Sequence, residues 1–417
     1  MNLSVNEDRL MNELDRLASF SDVPAPAVTR VVFSPVDLQA RAYFKQLCTD
    51  AGFLIREDAV GNTFVRWTGS DPSLAAIGTG SHIDAIPHSG RYDGTVGVLG
   101  GLEAMRALRE GGFQPLRSIE LLLFTSEEPT RFGIGCLGSR LLSGALETSA
   151  GEKLKDREGL TLNEVRAAAG FTGALESVRL APGYYHAFAE LHIEQGPLLE
   201  RRGVPLGIVT AIAAPASLRV VIEGEGGHAG AVLMPDRRDA FSGAAEIALA
   251  LESAARSTGS IDTVATIGQC EVFPGAVNGI PSKVTLGVDI RDIDPARRDG
   301  VLQSFAEVCE RVGRERRLKI ETETVNADAP ALCGSMVVDA LAESCRERAI
   351  PFDRMVSRAY HDSLFISRVA PTAMLFIPCR NGVSHRPDEY SSPEDIGRGT
   401  LVLAATLGRL AGIHIQP

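Results

Sequence analysis

Four short apolar runs in this chain each lead to, or carry, a histidine or carboxylates, and that pairing limits the fold more than any other feature. Leu74 to Thr79 delivers His82, and Ile119 to Phe124 delivers Glu127 and Glu128. Phe188 to Ile193 carries Glu190 and His192 and leads into Glu194, while Thr372 to Phe376 precedes His385. Ile119 to Phe124 reads as apolar without alternation, as expected of a parallel strand covered on both faces. Val96 to Leu108 has apolar residues at helical spacing and stops at Gly111-Gly112. Strands alternating with helices predict an open α/β sheet with helices on both faces. Sites in such sheets form where the strands end. A glycine-bounded loop, Ser89-Gly90-Arg91-Tyr92-Asp93-Gly94, adds Asp93 among these polar segments.

At 417 residues the chain is long for one hydrophobic core, so two domains are expected. The pattern changes near Ala213-Ala214-Pro215. Strands at Leu218 to Glu223, Val264 to Ile267 and Lys283 to Ile290, with helices at Asp239 to Ser253 and from Pro295 to about Arg314, suggest an inserted ferredoxin-like α+β layer. The expected division is 1–213 and 329–417 as one sheet domain, with 214–328 inserted. Two amphipathic helices open the chain, separated by Pro24-Ala25-Pro26.

A net charge of −11 argues against a nucleic-acid surface. The basic residues between Arg311 and Lys319 lie on a helical pattern and read as a solvated face. Seven scattered cysteines without a CxxC pair fit neither a disulfide framework nor a zinc knuckle, and suit a reducing compartment. The acidic N-terminus does not look like a signal peptide, and no apolar run approaches membrane-spanning length. A cytoplasmic location is the resulting expectation.

Taken singly, the polar residues have ordinary explanations. His186 and His414 read as surface or satisfied histidines. Asp93 could be a loop aspartate, and Glu127-Glu128 an acidic pair at a helix start. His82 has Asp84 two residues on, where it could accept the ring's second N–H, and His192 shares a strand face with Glu190 and Glu194. Together they place three histidines and several carboxylates just past predicted strands. Buried carboxylates without partners are costly, and a two-metal centre with a bridging carboxylate removes that cost.

The segments Gly80-Ser81-His82-Ile83-Asp84-Ala85-Ile86-Pro87, Phe124-Thr125-Ser126-Glu127-Glu128-Pro129-Thr130-Arg131-Phe132-Gly133 and Leu191-His192-Ile193-Glu194-Gln195-Gly196-Pro197 resemble the dinuclear-metal aminoacylase and carboxypeptidase family. The likeness is to its branch of carbamoyl-amino-acid, allantoate and ureidoglycolate amidohydrolases, and it runs from His82 to the C-terminal helix. The resemblance implies a zinc-exopeptidase-like catalytic domain with an inserted dimerisation and lid domain. It also implies two divalent ions per subunit, manganese or else zinc. His82 and His192 would bind one, Glu128 and His385 the other, and Asp93 would bridge them. Glu127 would be the general base, and Asp84 would support His82.

Further roles follow from the same likeness. His228 would reach the partner subunit's active site in a homodimer and stabilise the developing oxyanion; by itself it reads as a loop histidine. Asn278, otherwise a turn residue, would bind substrate. Arg291, by default a strand-end ion pair, has the shape to clamp a substrate carboxylate. Gln195, Tyr360 and His361 would complete the contacts. The segments around Thr210 to Ser217, Gly227 to Pro235 and Ser357 to Ser363 are most similar to the ureidoglycolate-hydrolysing members. The expected reaction is therefore hydrolysis of (S)-ureidoglycolate at its ureido carbonyl, with Tyr360 narrowing the pocket against larger substrates. Allantoate and N-carbamoyl-L-amino acids are the alternative substrates. A peptidase, or a non-catalytic binding protein on the same scaffold, are the competing functions.

Overall fold

The run Ile119–Phe124 is buried along its whole length because it lies within a nine-stranded sheet that has a hydrophobic core on each face. Its side chains alternate between those cores: Ile119, Leu121 and Leu123 enter one, Leu122 and Phe124 the other. The computed structural model describes residues 3–413, so His414 lies outside the described residues. The chain divides into two units.

The first unit comprises the chain up to 210, residues 332–355 and the chain from 361 onward. At the centre of its sheet Thr372–Ile377, Tyr185–Ile193, Ala76–His82 and Ile119–Phe124 run parallel in that order. Thr63–Trp67 and Leu54–Glu57 extend one side antiparallel, and Gly207–Ile212 pairs antiparallel on the other. Close packing is written into the central strands. A Cβ on Gly80 would lie 2.1 Å from the Leu122 carbonyl oxygen, and one on Gly78 would meet the Phe188 ring at 2.4 Å. The helix Thr95–Glu110 lies on one face and packs against the closing helix Pro393–Ala411. All four parallel strands present their C-terminal ends at the same edge, and their last residues lead into the polar segments singled out above.

Glu120 interrupts the run that reads as apolar, and its burial is met by partners. Its carboxylate accepts from the hydroxyls of Tyr185 (2.6 Å) and Tyr184 (3.1 Å) and pairs with Arg66 (3.3 Å). Among the strands that escape sequence reading are Val28–Arg30, which pairs with Ala85–Ser89, and the exposed Leu54–Glu57. Neither has the alternation that marks a half-buried strand.

The second unit, 211–331 with 356–360, is a strand–helix–strand–strand–helix–strand layer. Its sheet order is Val264–Phe273, Lys283–Asp292, Ala214–Glu223, Lys319–Ala327, with every neighbouring pair antiparallel. That is the ferredoxin-like arrangement. The helices Ala240–Ser257 and Pro295–Arg316 share one core with the sheet through Ile247, Leu251, Phe305 and Val312. Val264–Phe273 continues six residues beyond the predicted Ile267, because a shift of register between Ile267 and Gln269 lets an exposed polar segment keep pairing. The unit also takes in 211–213, 329–331 and 356–360, beyond the expected 214–328. The last piece is held by the Ala213 N–H donating to the Ser357 carbonyl (2.8 Å), by Arg358 pairing with Asp262, and by Tyr360 bonding Asp328 (3.0 Å).

Candidate metal centre

Each parallel strand of the first unit supplies one part of a cluster of imidazoles and carboxylates. His82 closes its strand and His192 lies one residue from the end of its own. Glu127 and Glu128 follow the strand Ile119–Phe124, His385 follows Thr372–Ile377, and Asp93 stands just before the helix Thr95–Glu110. His82, Asp93, Glu127, Glu128 and His192 are all buried, whereas the His385 side chain is 45% exposed.

Asp93 sits at the middle. Its Oδ1 faces His192 Nε2 at 3.2 Å and His82 Nε2 at 3.6 Å; its Oδ2 faces His385 Nε2 at 3.2 Å. His385 Nε2 lies 3.3 Å from Glu128 Oε1. Two three-residue groups result, His82–Asp93–His192 and Asp93–Glu128–His385, each with its ligand atoms within 4.8 Å of one another. They share Asp93 through different oxygens. The second ring nitrogens of two histidines are already committed: His82 Nδ1 bonds the Asp84 carbonyl (3.0 Å) and His192 Nδ1 the Ile193 carbonyl (2.9 Å). Both Nε2 atoms face Asp93, and that of His192 also accepts from the Gly94 N–H (3.2 Å); a bound metal would take the place of these contacts. The donor set is imidazole nitrogen and carboxylate oxygen without thiolate, which suits manganese or zinc.

One expected role changes. The Asp84 carboxylate is not the main partner of the His82 ring, which lies 3.7 Å from Oδ1 and bonds the main-chain oxygen instead. The carboxylate accepts the backbone N–H groups of Glu127 (3.2 Å) and Glu128 (3.0 Å). Asp84 thereby joins the ends of two strands, and its short side chain reaches the neighbouring loop more readily than the ring beside it.

The charges follow this geometry. Burial pulls the Asp93 carboxyl upward, but hydrogen bonds from His192, His385 and His82 outweigh it and hold the group well below the usual carboxylate range. Asp93 and then Glu128 push His385 up to about 11. Burial opposes the charge on His82, yet Glu127 and the two aspartates raise it well above an ordinary histidine. Burial, reinforced by Glu128, Asp362 and Asp93, lifts Glu127 well above a free carboxylate, with His82 opposing.

Glu389 carries no recognisable signature in the sequence, unlike Glu190 and Glu194, which flank His192. Glu389 accepts from the backbone N–H of Tyr92 (2.8 Å) and Asp93 (3.1 Å) and from the Ser384 hydroxyl (2.8 Å), which also bonds Asp93 (2.9 Å). A carboxylate four residues past His385 was the available hint. Glu190, on the His192 face, is taken up by the hydroxyls of Ser81 (2.8 Å) and Ser363 (2.5 Å). Glu194 accepts from Leu198 and Leu199 at a helix start.

Of the expected substrate contacts, Gln195 and His361 belong to the first unit. Gln195 Nε2 donates to Asp93 Oδ2 (2.6 Å), and its buried Oε1 has no hydrogen-bond partner. His361 is buried edge-on against His192, with ring centroids 4.6 Å apart. His228, Asn278, Arg291 and Tyr360 belong to the second unit. There the structure brings His228 and Asn278 together, since the Ala229 N–H donates to the Asn278 carbonyl (2.9 Å). Arg291 is paired with Asp289 (2.6 Å), the strand-end ion pair that its position suggests.

A model described as Peptidase family M20/M25/M40 matches residues 78–409. The chain is 53% identical over 416 residues to ureidoglycolate hydrolase of Arabidopsis thaliana, covering 98% of this chain and 87% of that protein. It is 37% identical to an N-carbamoyl-L-amino acid amidohydrolase of Geobacillus stearothermophilus, covering 98% and 99%. Among solved structures, AtUAH in complex with (S)-hydroxyglycine superposes with a TM-score of 0.92 at 52% identity, covering 98% of each chain.

Proposed function

This chain belongs to peptidase family M20/M25/M40, and we propose that within it the chain is a metal-dependent amidohydrolase acting on (S)-ureidoglycolate. It cleaves the ureido C–N bond, giving glyoxylate, ammonia and carbon dioxide in the breakdown of purine ureides. The observation that carries this reading is the 53% identity to ureidoglycolate hydrolase across 98% of the chain, in a molecule whose two ligand groups are both present. Hydroxyglycine, held by the similar AtUAH structure, is what ureidoglycolate leaves once its ureido carbonyl has been removed. A binding protein without catalysis would have no need of a buried acid such as Glu127 beside these groups.

His82 and His192 would hold one divalent ion and Glu128 and His385 a second, with Asp93 shared by the two groups; manganese is preferred and zinc is the alternative. Such ions supply Lewis-acid activation of water and of the substrate carbonyl. Glu127 removes the proton from the attacking water and returns it to the leaving nitrogen, a task for a buried carboxylate beside these groups. Gln195, Asn278 and His361 orient the ureido group and hydroxyl, and Arg291, released from Asp289, holds the carboxylate. The protein works as a cytoplasmic homodimer in which each His228 serves the other subunit. No helix among the described residues is long and apolar enough to cross a membrane.

Tyr360 sets the order of substrates, because a bulky phenol beside the substrate α-carbon leaves little room for allantoate's second ureido arm. The test is ammonia release by manganese-loaded protein given ureidoglycolate, allantoate and N-carbamoyl-L-amino acids in parallel. Ureidoglycolate is expected to turn over fastest, and Tyr360→Gly to narrow its lead over allantoate. A preference for another substrate would overturn the specificity. No release from any of them, with metal bound, would overturn the activity.

A further inference from the structure

Cys136 stands apart from the other cysteines because of its backbone. Its φ of 56° is a left-handed conformation, which glycine adopts without strain and a residue with a Cβ does not. The strain is held by a short ladder. The N–H groups of Cys136, Leu137 and Gly138 donate to the carbonyls of Glu127 (2.7 Å), Ser126 (2.9 Å) and Thr125 (2.8 Å). Where glycine would serve the turn better, a fully buried side chain is retained, and its sulfur lies 3.4 Å from Glu127 Oε1. The other carboxylate oxygen, Oε2, faces His82 Nε2 at 3.7 Å. A strained residue kept beside an active carboxylate points to a functional reason for the side chain.

We infer that Cys136 is a positioning residue for Glu127: its thiol donates to one carboxylate oxygen and so turns the other toward the metal centre. The backbone ladder fixes the main chain of Glu127 and the Asp84 carboxylate fixes its N–H, but neither sets the side-chain torsions. The thiol hydrogen-bonds one oxygen of that side chain, and His82 faces the other. Burial among acids keeps its proton in place, so the sulfur donates. A sulfur donor is weak, so it orients the carboxylate without tying up the oxygen's basicity.

The inference rests on Glu127 being the base, and the experiment separates the two. Cys136→Gly, Cys136→Ser and Glu127→Gln are compared with the parent protein for kcat, KM, bound metal and melting temperature. Glycine relieves the backbone strain, so Cys136→Gly should keep its metal and melt no lower. Its kcat should fall on the order of tenfold while KM stays within about twofold, the pattern of a misaimed base. Cys136→Ser, which restores a donor, should recover kcat to within about threefold of the parent. An unchanged kcat in Cys136→Gly would overturn the inference, and so would a serine variant no better than glycine. Loss of metal or early melting in Cys136→Gly would also overturn it by making the role structural. Full activity in Glu127→Gln would instead remove the base assignment itself.

Discussion

Asp93 can face three imidazoles only because the residue after it has no side chain. Gly94 sits at φ 67°, and a Cβ there would lie 2.4 Å from His82 Nε2, the atom proposed above to bind a metal. Gly94→Ala should therefore weaken metal binding by about 10- to 100-fold while the far-ultraviolet dichroism remains native. Metal content after dialysis against a weak chelator reads this directly, and an alanine variant with full metal would contradict the packing argument. The sequence shows His82, Asp93, Glu127, Glu128, His192 and His385 because each belongs to a segment with a recognisable local pattern. Glu389 stays hidden because its partner Asp93 is 296 residues away, and nothing local marks a loop carboxylate as holding a distant backbone. Asp84 is legible as a residue but not in its task, which depends on the register between two strands.

Elements carry the support outward from the site. The helix Pro35–Asp50 buries Asp37 and Arg41 one turn apart, joined at 2.9 Å. Asp37 also accepts the Phe33 N–H (2.8 Å), while Arg41 donates to the Gly61 carbonyl (2.8 Å) and reaches the Thr125 hydroxyl (3.4 Å), just ahead of Glu127. Replacing Asp37 by alanine leaves a buried guanidinium without its counter-ion, so a loss of about 3–5 kcal/mol is expected in urea unfolding. A loss below about 1 kcal/mol, the range of exposed pairs, would mean that Arg41 finds water instead. At this scale the sequence reveals elements with a strong period or full burial, such as Ile119–Phe124 and Thr95–Glu110. It hides those defined by their neighbours. Val28–Arg30 is only three residues long, and the outer half of Val264–Phe273 is exposed and polar, so each is recognisable as a strand only from what it pairs with.

Over the whole molecule, the proposed ligand histidines would couple metal uptake to pH. In metal-free protein His82 and His385 are raised above the ordinary histidine value, His385 to about 11. Their contribution to the stability of that form is complete below about pH 6.5 and is lost as pH rises through the raised values. Metal must displace those protons, so apparent affinity should weaken as pH falls, with net release of about one proton or more per ion. Titration calorimetry in two buffers of different ionisation enthalpy measures the release, and uptake independent of pH would contradict it.

The first unit is assembled from the chain up to 210, residues 332–355 and the chain from 361 onward, and this bears on how the protein is made. Its central sheet lacks Thr372–Ile377, and its helix Thr95–Glu110 lacks the cover of Pro393–Ala411, until late in translation. Most of the second unit emerges earlier and has a core of its own. On the ribosome the inserted layer can thus mature while the surrounding sheet is still waiting for a strand. The His82–Asp93–His192 group precedes the insertion, whereas the Asp93–Glu128–His385 group has no histidine until residue 385 is synthesised. On the proposed two-ion reading, a nascent chain halted before that point offers a metal only half a site.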